Sequence, residues 1–355
     1  MTEIHTPERQ SSPDPSPAPR GDALLQVRNL RVEFPTRRGT LVALDDISFD
    51  IHPGEVLGVV GESGAGKSMT GAAIIGLLEP PGRIAGGEIR LAGRRIDNLP
   101  YEELRRIRGR QIGAIFQDPL TTLNPLYTVG DQLAETMTTH LPINPAEARR
   151  RAVSWLELVG IPAAAQRVDS YPHEFSGGMR QRVVIALALC AEPKLIVADE
   201  PTTALDVSIQ AQVIALLKSL AREKGTAMML ITHDMGVIAE TADRVAVMYA
   251  GRIIEIGAVR AVVKEAAHPY SAGLMGSIPP ISHRVARLQQ IDGSMPRLSA
   301  IPAGCPYNPR CPRVFSRCVV DRPELMPAGR SEAACWLYAP GAPRAPSEPG
   351  TTASV

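Results

Sequence analysis

The sequence predicts an α/β domain over residues 23–262 followed by a small, loop-rich domain over 263–338, with disordered tails at 1–22 and 339–355. Three observations carry this reading. Short apolar segments of strand character alternate with segments of helical period, the texture changes near residue 262 to one in which proline recurs, and both ends are Pro- and Ser-rich. A chain of 355 residues has length for about two domains.

The N-terminal tail rests on Pro7, Pro13, Pro15, Pro17 and Pro19 among Ser and Asp; the C-terminal one on Pro, Gly, Ala, Ser and Thr. Between them, strand-like segments fall at 24–34, 41–51, 56–60, 112–116, 195–198, 228–232 and 245–249, and helical ones at 67–78, 145–159, 177–191 and 207–223. The third helix is nearly apolar throughout and is predicted to be buried. From His268 onward, Pro269, Pro279, Pro280, Pro296, Pro302, Pro306, Pro309 and Pro312 favour a loop-rich unit over continuation of the sheet.

Composition narrows the function classes. With 44% apolar residues, 21% charged and a net charge of +1, the chain is neither mostly disordered nor collagen-like, and it carries no bulk electrostatic case for nucleic acid. The longest apolar stretches, 72–78 and 183–191, fall short of the roughly 18 to 20 residues a membrane span needs. The start shows neither a basic n-region nor an apolar h-region, so a cytoplasmic protein is expected. Four of the five cysteines crowd between Cys305 and Cys335, which in a reducing compartment favours a bound metal or cluster over disulfides.

The chemistry begins at Gly61-Glu62-Ser63-Gly64-Ala65-Gly66-Lys67-Ser68, which follows the apolar strand 56–60 and opens a helix, the context required by G-x-x-x-x-G-K-[ST]. Its glycines let successive N–H groups face a polyphosphate, and the helix dipole adds positive potential. Lys67 is placed to reach the β- and γ-phosphates, and the Ser68 hydroxyl to bind Mg²⁺. Leu195-Ile196-Val197-Ala198-Asp199-Glu200 reads as a buried parallel strand delivering two carboxylates to its C-terminal edge. Asp199 then serves the metal, and Glu200 is placed to orient and deprotonate an attacking water.

A second anion site lies in Phe175-Ser176-Gly177-Gly178-Met179, where Ser176 can cap a helix whose first N–H groups are exposed by Gly177 and Gly178. This motif resembles the signature of ABC ATPases. The resemblance covers roughly residues 24–262 and implies a P-loop cassette with a mixed sheet core, an antiparallel β part and a helical subdomain. It further implies a head-to-tail dimer in which the signature of one subunit closes over the γ-phosphate held by the other. Carried over residue by residue, Phe34 falls where the family stacks an aromatic on adenine, although as a residue at a strand end it also reads as core. Gln117 resembles the glutamine that touches Mg²⁺ and water, Ala204-Leu205-Asp206 the loop at the dimer contact, and His233 the histidine beside the γ-phosphate.

Several stretches narrow the resemblance to the ATP-binding subunits of oligopeptide and dipeptide importers, a set that includes nickel and glutathione importers. They are Phe34-Pro35-Thr36-Arg37-Arg38-Gly39, Phe116-Gln117-Asp118-Pro119-Leu120-Thr121-Thr122-Leu123-Asn124-Pro125 and the Met179 form of the signature, where Gln is usual in other branches. His268-Pro269-Tyr270, Ser277-Ile278-Pro279 and Gly304-Cys305-Pro306-Tyr307-Asn308-Pro309-Arg310-Cys311 are similar to the C-terminal extension of those subunits. Four thiolates at Cys305, Cys311, Cys318 and Cys335 suit zinc or [4Fe-4S] equally by number, and unligated thiols stay open; the resemblance implies [4Fe-4S]. Cys190 reads as a small core residue.

The implied machine is a cytoplasmic-face, peripheral ATPase with a D-type character, paired with a different F-type ATPase, two transmembrane permease subunits and, indirectly, an extracytoplasmic binding protein. ATP and Mg²⁺ are its expected ligands, and nucleic acid is not expected. A non-transport ABC ATPase is the rival; the roughly 130 residues between the phosphate loop and the acidic strand lack heptads, and one cassette is present. A regulatory subunit without turnover is disfavoured by Glu200 and His233. The basic runs Arg105, Arg106, Arg108, Arg110 and Arg149, Arg150, Arg151 are expected to be solvated helix faces, and 127–140 an ordinary helix.

Overall fold

Strands buried on both faces read as unbroken apolar runs, and the core is built from them. The computed structural model describes residues 22–202, 206–277 and 290–342. Its strands are β1 Leu25–Thr36, β2 Gly39–Ile51, β3 Val56–Val60, β4 Arg83–Leu91, β5 Arg94–Arg95, β6 Ile112–Ile115, β7 Leu195–Asp199, β8 Ala227–Ile231, β9 Arg244–Tyr249, β10 Arg252–Ala258, β11 Met326–Ala328 and β12 Ser331–Ala333. They form a four-stranded antiparallel sheet, β2-β1-β4-β5, and an eight-stranded mixed sheet, β11-β12-β10-β9-β3-β8-β7-β6. Within the latter β9, β3, β8, β7 and β6 are parallel, while β10, β12 and β11 run antiparallel to their neighbours. The expected α/β class is therefore the one found.

Side-chain alternation divides the core in two. Val56 and Val60 of β3, Ile196 and Ala198 of β7, and Met228 and Leu230 of β8 face one layer, which includes the helices Val129–His140, Pro145–Leu158 and Gly177–Leu189. Leu57 and Val59, Leu195 and Val197, and Met229 and Ile231 face the other, closed by the antiparallel sheet. The helix Gly177–Leu189 is buried along Val183, Val184, Ile185, Ala186 and Leu189, as its composition predicts. The helices of this layer start on side-chain caps: Thr128 accepts from the Asp131 N–H and Asn144 from the Glu147 N–H, contacts worth about 1 kcal/mol each.

Two expectations are corrected. The C-terminal region does continue the sheet: β12 pairs with β10, Glu255 opposite Ala333 and Gly257 opposite Ser331. Proline marks the loops around this short strand, and Ser331–Ala333 itself contains none. Nor are Arg108 and Arg110 simply solvated. Arg108 donates through Nε to the Ile75 carbonyl at 2.8 Å and through Nη2 to that of Gly76, and Arg110 donates to Ala191 at 3.0 Å. Helix-terminal carbonyls lack partners within the helix and carry negative potential, which recruits these cations. Arg150 and Arg151 do pair with Glu147 along their own helix, and Arg105 pairs with Glu102 on an exposed face. Of the expected tails, residues 1–21 and 343–355 lie outside the described residues; Ala339 and Ala342 continue from the turn at Trp336 by backbone hydrogen bonds.

Candidate nucleotide-hydrolysis site

The C-terminal edge of the parallel strands is where an open α/β sheet gathers its functional groups. β3 ends at Val60, and the chain turns at once through Gly61, whose φ of +151° leaves no room for a side chain: a Cβ would stand 2.3 Å from the Met248 carbonyl oxygen. The helix Lys67–Ile75 then starts at Gly66 with no side-chain cap, so its first N–H groups stay available to an anion. Lys67 is buried, and its Nζ donates to the carbonyls of Gly61 at 2.9 Å and Glu62 at 3.1 Å. Burial pulls its ammonium below the ordinary lysine value, while the Glu200 and Asp199 carboxylates oppose the shift.

β7 delivers the acids. Asp199 accepts a hydrogen bond from Ser68 Oγ at 3.0 Å, and burial pushes its carboxyl above the usual range against the pull of that bond. These two neighbouring oxygen donors are of the hard type Mg²⁺ prefers, so the residues present fit the ion. Glu200 sits in the left-handed region at φ +45°, its N–H held by the Ile231 carbonyl at 2.9 Å. Such a backbone in a residue other than glycine costs on the order of 1 kcal/mol or more and aims the side chain away from the strand. Gln117 Nε2, from the loop after β6, donates to Glu200 Oε2 at 3.2 Å. His233 Nδ1, two residues after β8, lies 3.4 Å from Glu200 Oε1. Asp234 beside it caps the next helix by accepting from the Gly236 and Val237 N–H groups.

Ser63, Gly64, Gly66, Lys67 and Ser68 line one side of a cleft of about 630 Å³, with Gln117, Glu200 and His233 across from them. Residues from four separate stretches of sequence thus meet at one opening. Three more wall residues, Ala43, Met69 and Leu298, were not singled out by sequence, because apolar side chains carry no chemical signature. Phe34 does not line the cleft; its ring rests against the backbone of Gly82. Ser176 and Gly177 are exposed and also lie outside the cleft lining, with Ser176 Oγ accepting the Met179 N–H at 3.4 Å. Asp206 precedes the helix Val207–Lys224 without capping it by its side chain; Ala204 and Leu205 lie outside the described residues.

The four C-terminal cysteines neighbour one another. Burial pushes the Cys305 thiol up to about 12 and the Cys335 thiol up to about 11, and the other cysteines of the set push the same way. The backbone N–H groups of Tyr307, Arg313 and Leu337, each two residues on, oppose the shift at Cys305, Cys311 and Cys335. All are free thiols, and among the described residues no three His, Cys, Asp or Glu side chains are arranged to hold a metal ion. Cys190 is a core residue, 1% exposed. No helix among the described residues is long and apolar enough to cross a membrane.

Comparison with known proteins agrees with this geometry. Residues 44–203 match the family model "ABC transporter", and residues 254–318 match "Oligopeptide/dipeptide transporter, C-terminal region". The chain is 50% identical over 304 residues to the oligopeptide transport ATP-binding protein OppD of Salmonella typhimurium, covering 86% of this chain and 90% of that one. It is 47% identical over 320 residues to the dipeptide transport ATP-binding protein DppD of Bacillus subtilis, covering 89% and 95%. Among solved structures, the cassette MJ0796, described as dimeric, in a post-hydrolysis state and bound to ADP and Pi, superposes with a TM-score of 0.60 at 28% identity, covering 66% of this chain and 99% of that one. With a phosphate loop, an acidic strand end and a C-terminal region that all match, the chain belongs to the family of ATP-binding proteins of oligopeptide and dipeptide ABC transporters, and it is an ATPase of the ABC class.

Proposed function

We propose that the chain is the ATP-hydrolysing subunit of a bacterial importer for peptides or a related small solute, with nickel and glutathione as the other members of that substrate class. The observation that carries the reading is the convergence of Ser68, Asp199, Glu200, Gln117 and His233 on the cleft below the phosphate loop. Lys67 and the N–H groups at the start of the helix Lys67–Ile75 bind the phosphates. Ser68 and Asp199 hold Mg²⁺, which when bound neutralises charge on the phosphate oxygens. Glu200 takes the proton of the attacking water at its carboxylate, Gln117 steadies that carboxylate through Nε2, and His233 faces it from the exposed rim.

The signature residues Ser176, Gly177 and Gly178 serve a neighbouring cassette in this reading, since Ser176 and Gly177 are exposed and none of the three lines the cleft of their own chain. Asp206 lies at the same head-to-tail contact, and Phe34 meets the base after moving off Gly82. Closure of two cassettes is then a ligand-driven population shift, relayed to two transmembrane subunits at the cytoplasmic face of the inner membrane. Exposed Phe116, Leu126 and Tyr127, beside Gln117 and before the helix Val129–His140, supply an apolar docking patch for those subunits. The second cassette is a different, F-type subunit. The units of the chain are the cassette 23–262 and the extension 263–338, and the extension carries a [4Fe-4S] cluster on Cys305, Cys311, Cys318 and Cys335. Four neighbouring thiols, three with a backbone N–H turned toward the sulfur, support this; the set has to draw together on loading.

The decisive variant is Glu200→Gln. It keeps ATP binding and slows turnover by roughly 10² to 10⁴, the range lost with a positioned acid or base. Steady-state hydrolysis in the assembled transporter checks this, and turnover within twofold of wild type defeats the assignment.

A further inference from the structure

The phosphate loop is gripped from outside the cassette. Glu62, its second residue, makes four polar contacts, and two of them go to the C-terminal extension. Its carbonyl accepts from Lys67 Nζ and from the Ala65 N–H, each at 3.1 Å, within the loop. Its backbone N–H donates to the Tyr270 hydroxyl at 2.9 Å, so this N–H is turned toward the extension and away from the phosphates. Its carboxylate receives Arg310 Nη1, at 3.1 Å to each oxygen.

Arg310 is itself held on every nitrogen. Nε donates to the Asp292 carbonyl at 2.8 Å, Nη2 reaches the carbonyls of Ile291 and Gly293 at 3.3 and 3.4 Å, and Nη1 also meets the Tyr249 hydroxyl at 3.3 Å. Its side chain is 6% exposed, against 29% for Glu62. An ordinary surface ion pair contributes little, because water screens it and two flexible side chains must be ordered to form it. Here the cation is pre-ordered by backbone carbonyls, so forming the pair has only the Glu62 side chain left to order. Beneath it, Tyr249 of β9, Tyr270 of the helix Pro269–Gly276 and Tyr307 pack edge to face with centroids 4.8 to 5.4 Å apart, and all three are buried. The Arg310 guanidinium lies 5.8 Å from the Tyr249 ring and 5.9 Å from that of Tyr307. Sheet edge, extension and phosphate loop are therefore one packed unit.

We propose that Arg310 and Tyr270 are positioning residues of the nucleotide site: the C-terminal extension holds the phosphate loop, through Glu62, in its phosphate-receiving shape. Neither residue lines the cleft, so neither is catalytic. A loop already ordered before nucleotide arrives loses less conformational entropy on binding, and affinity rises accordingly. The inference deepens the nucleotide-site reading and rests on it.

The test is calorimetric titration of the full-length chain with Mg²⁺ and the non-hydrolysable analogue adenylyl imidodiphosphate. Arg310→Ala should weaken binding about tenfold, Arg310→Lys should recover part of that loss by restoring charge without the fork, and Tyr270→Phe, which removes only the acceptor of the Glu62 N–H, should weaken binding about threefold or more. Arg317→Ala is the control: Arg317 stacks on Trp336 within the same extension, and the variant should change thermal stability but not affinity. A merely structural role predicts the opposite pattern, with Arg310→Ala and Tyr270→Phe losing stability while binding the analogue within twofold of wild type, and that outcome overturns the proposal. If Arg310→Ala does not fold, Tyr270→Phe decides. Lys67→Ala separates the two readings: loss of binding there with normal binding in the Arg310 and Tyr270 variants defeats only the clamp, whereas normal binding by Lys67→Ala defeats the site itself.

Discussion

The nucleotide cleft and the cysteine segment both assemble polar groups from distant parts of the chain, yet they were unequally readable. In the cleft each contribution is a short local motif at the end of a buried strand: the loop after β3, Asp199 and Glu200 ending β7, and His233 after β8. Parallel pairing fixes where those strand ends fall, so a pattern in sequence becomes a position in space. Cys305, Cys311, Cys318 and Cys335 lie on loops and short helical turns, whose relative placement no periodicity specifies. Spacing along a loop decides little about whether such thiols bind anything, and only packing says what they surround.

This contrast is broken most sharply at Gly61. With its Cβ direction blocked by backbone at 2.3 Å, Gly61→Ala should cost about 3 to 5 kcal/mol or abolish nucleotide binding. Gly64, in the same loop at φ +82° but with open space around it, should lose only about 1 kcal/mol on the same change. Thermal unfolding of the two variants side by side checks this; equal losses would show that the loop is not held as described.

The extension is expected to fail first in acid. His268 is buried and accepts the Tyr270 N–H on Nδ1 at 3.0 Å, which only the neutral ring can do, and burial lowers its pKa to about 3. A depressed folded value means that stability is present above the unfolded value near 6.5 and is lost as pH falls toward about 3, at about 1.4 kcal/mol per pH unit. Hydrogen exchange at pH 7 and pH 5 should show the helix Pro269–Gly276 losing protection before β3 and β8, and His268→Gln should flatten the dependence. Uniform loss across the chain would contradict it.

The smallest expected effect concerns the thiols. In metal-free protein each Cys→Ser exchange in the set should cost about 1 kcal/mol or less. Anaerobically purified wild type should nevertheless be brown, with absorbance near ~400 nm that any single exchange removes. Colourless protein with stoichiometric zinc would move the assignment to zinc, and protein with neither metal would end the ligand role.

Much of the cassette was legible because β3, β7, β8 and β9 are apolar runs of the length a buried strand needs. β4 was not, because its first half, Arg83-Ile84-Ala85-Gly86-Gly87, holds one large apolar side chain and two glycines, too weak a pattern to read; antiparallel pairing with β1 and β5 makes it a strand. β10 follows β9 through Ala250 and Gly251, at φ +47° and +77°, the two-residue turn of a tight hairpin. That turn was a readable signal, and it was missed. Arg310 and Tyr270 could not be read from sequence at all, since their role is defined by Glu62, more than 200 positions away.

Sheet growth is a hazard that β12 and β11 help to end. A strand left at the margin of a sheet offers unpaired N–H and C=O groups to any other chain, which is how edge-to-edge aggregation starts. β10 would be such a margin, and β12 covers it. The new outermost strand, β11, has three residues with Pro327 at its centre, a residue with no N–H to offer a further partner. At the opposite margin β6 is only four residues long. Loss of residues beyond about 320 would therefore uncover the outer side of β10 at Glu255, Ile256 and Gly257, and the expected symptom is insolubility of the shortened chain rather than a change in its chemistry.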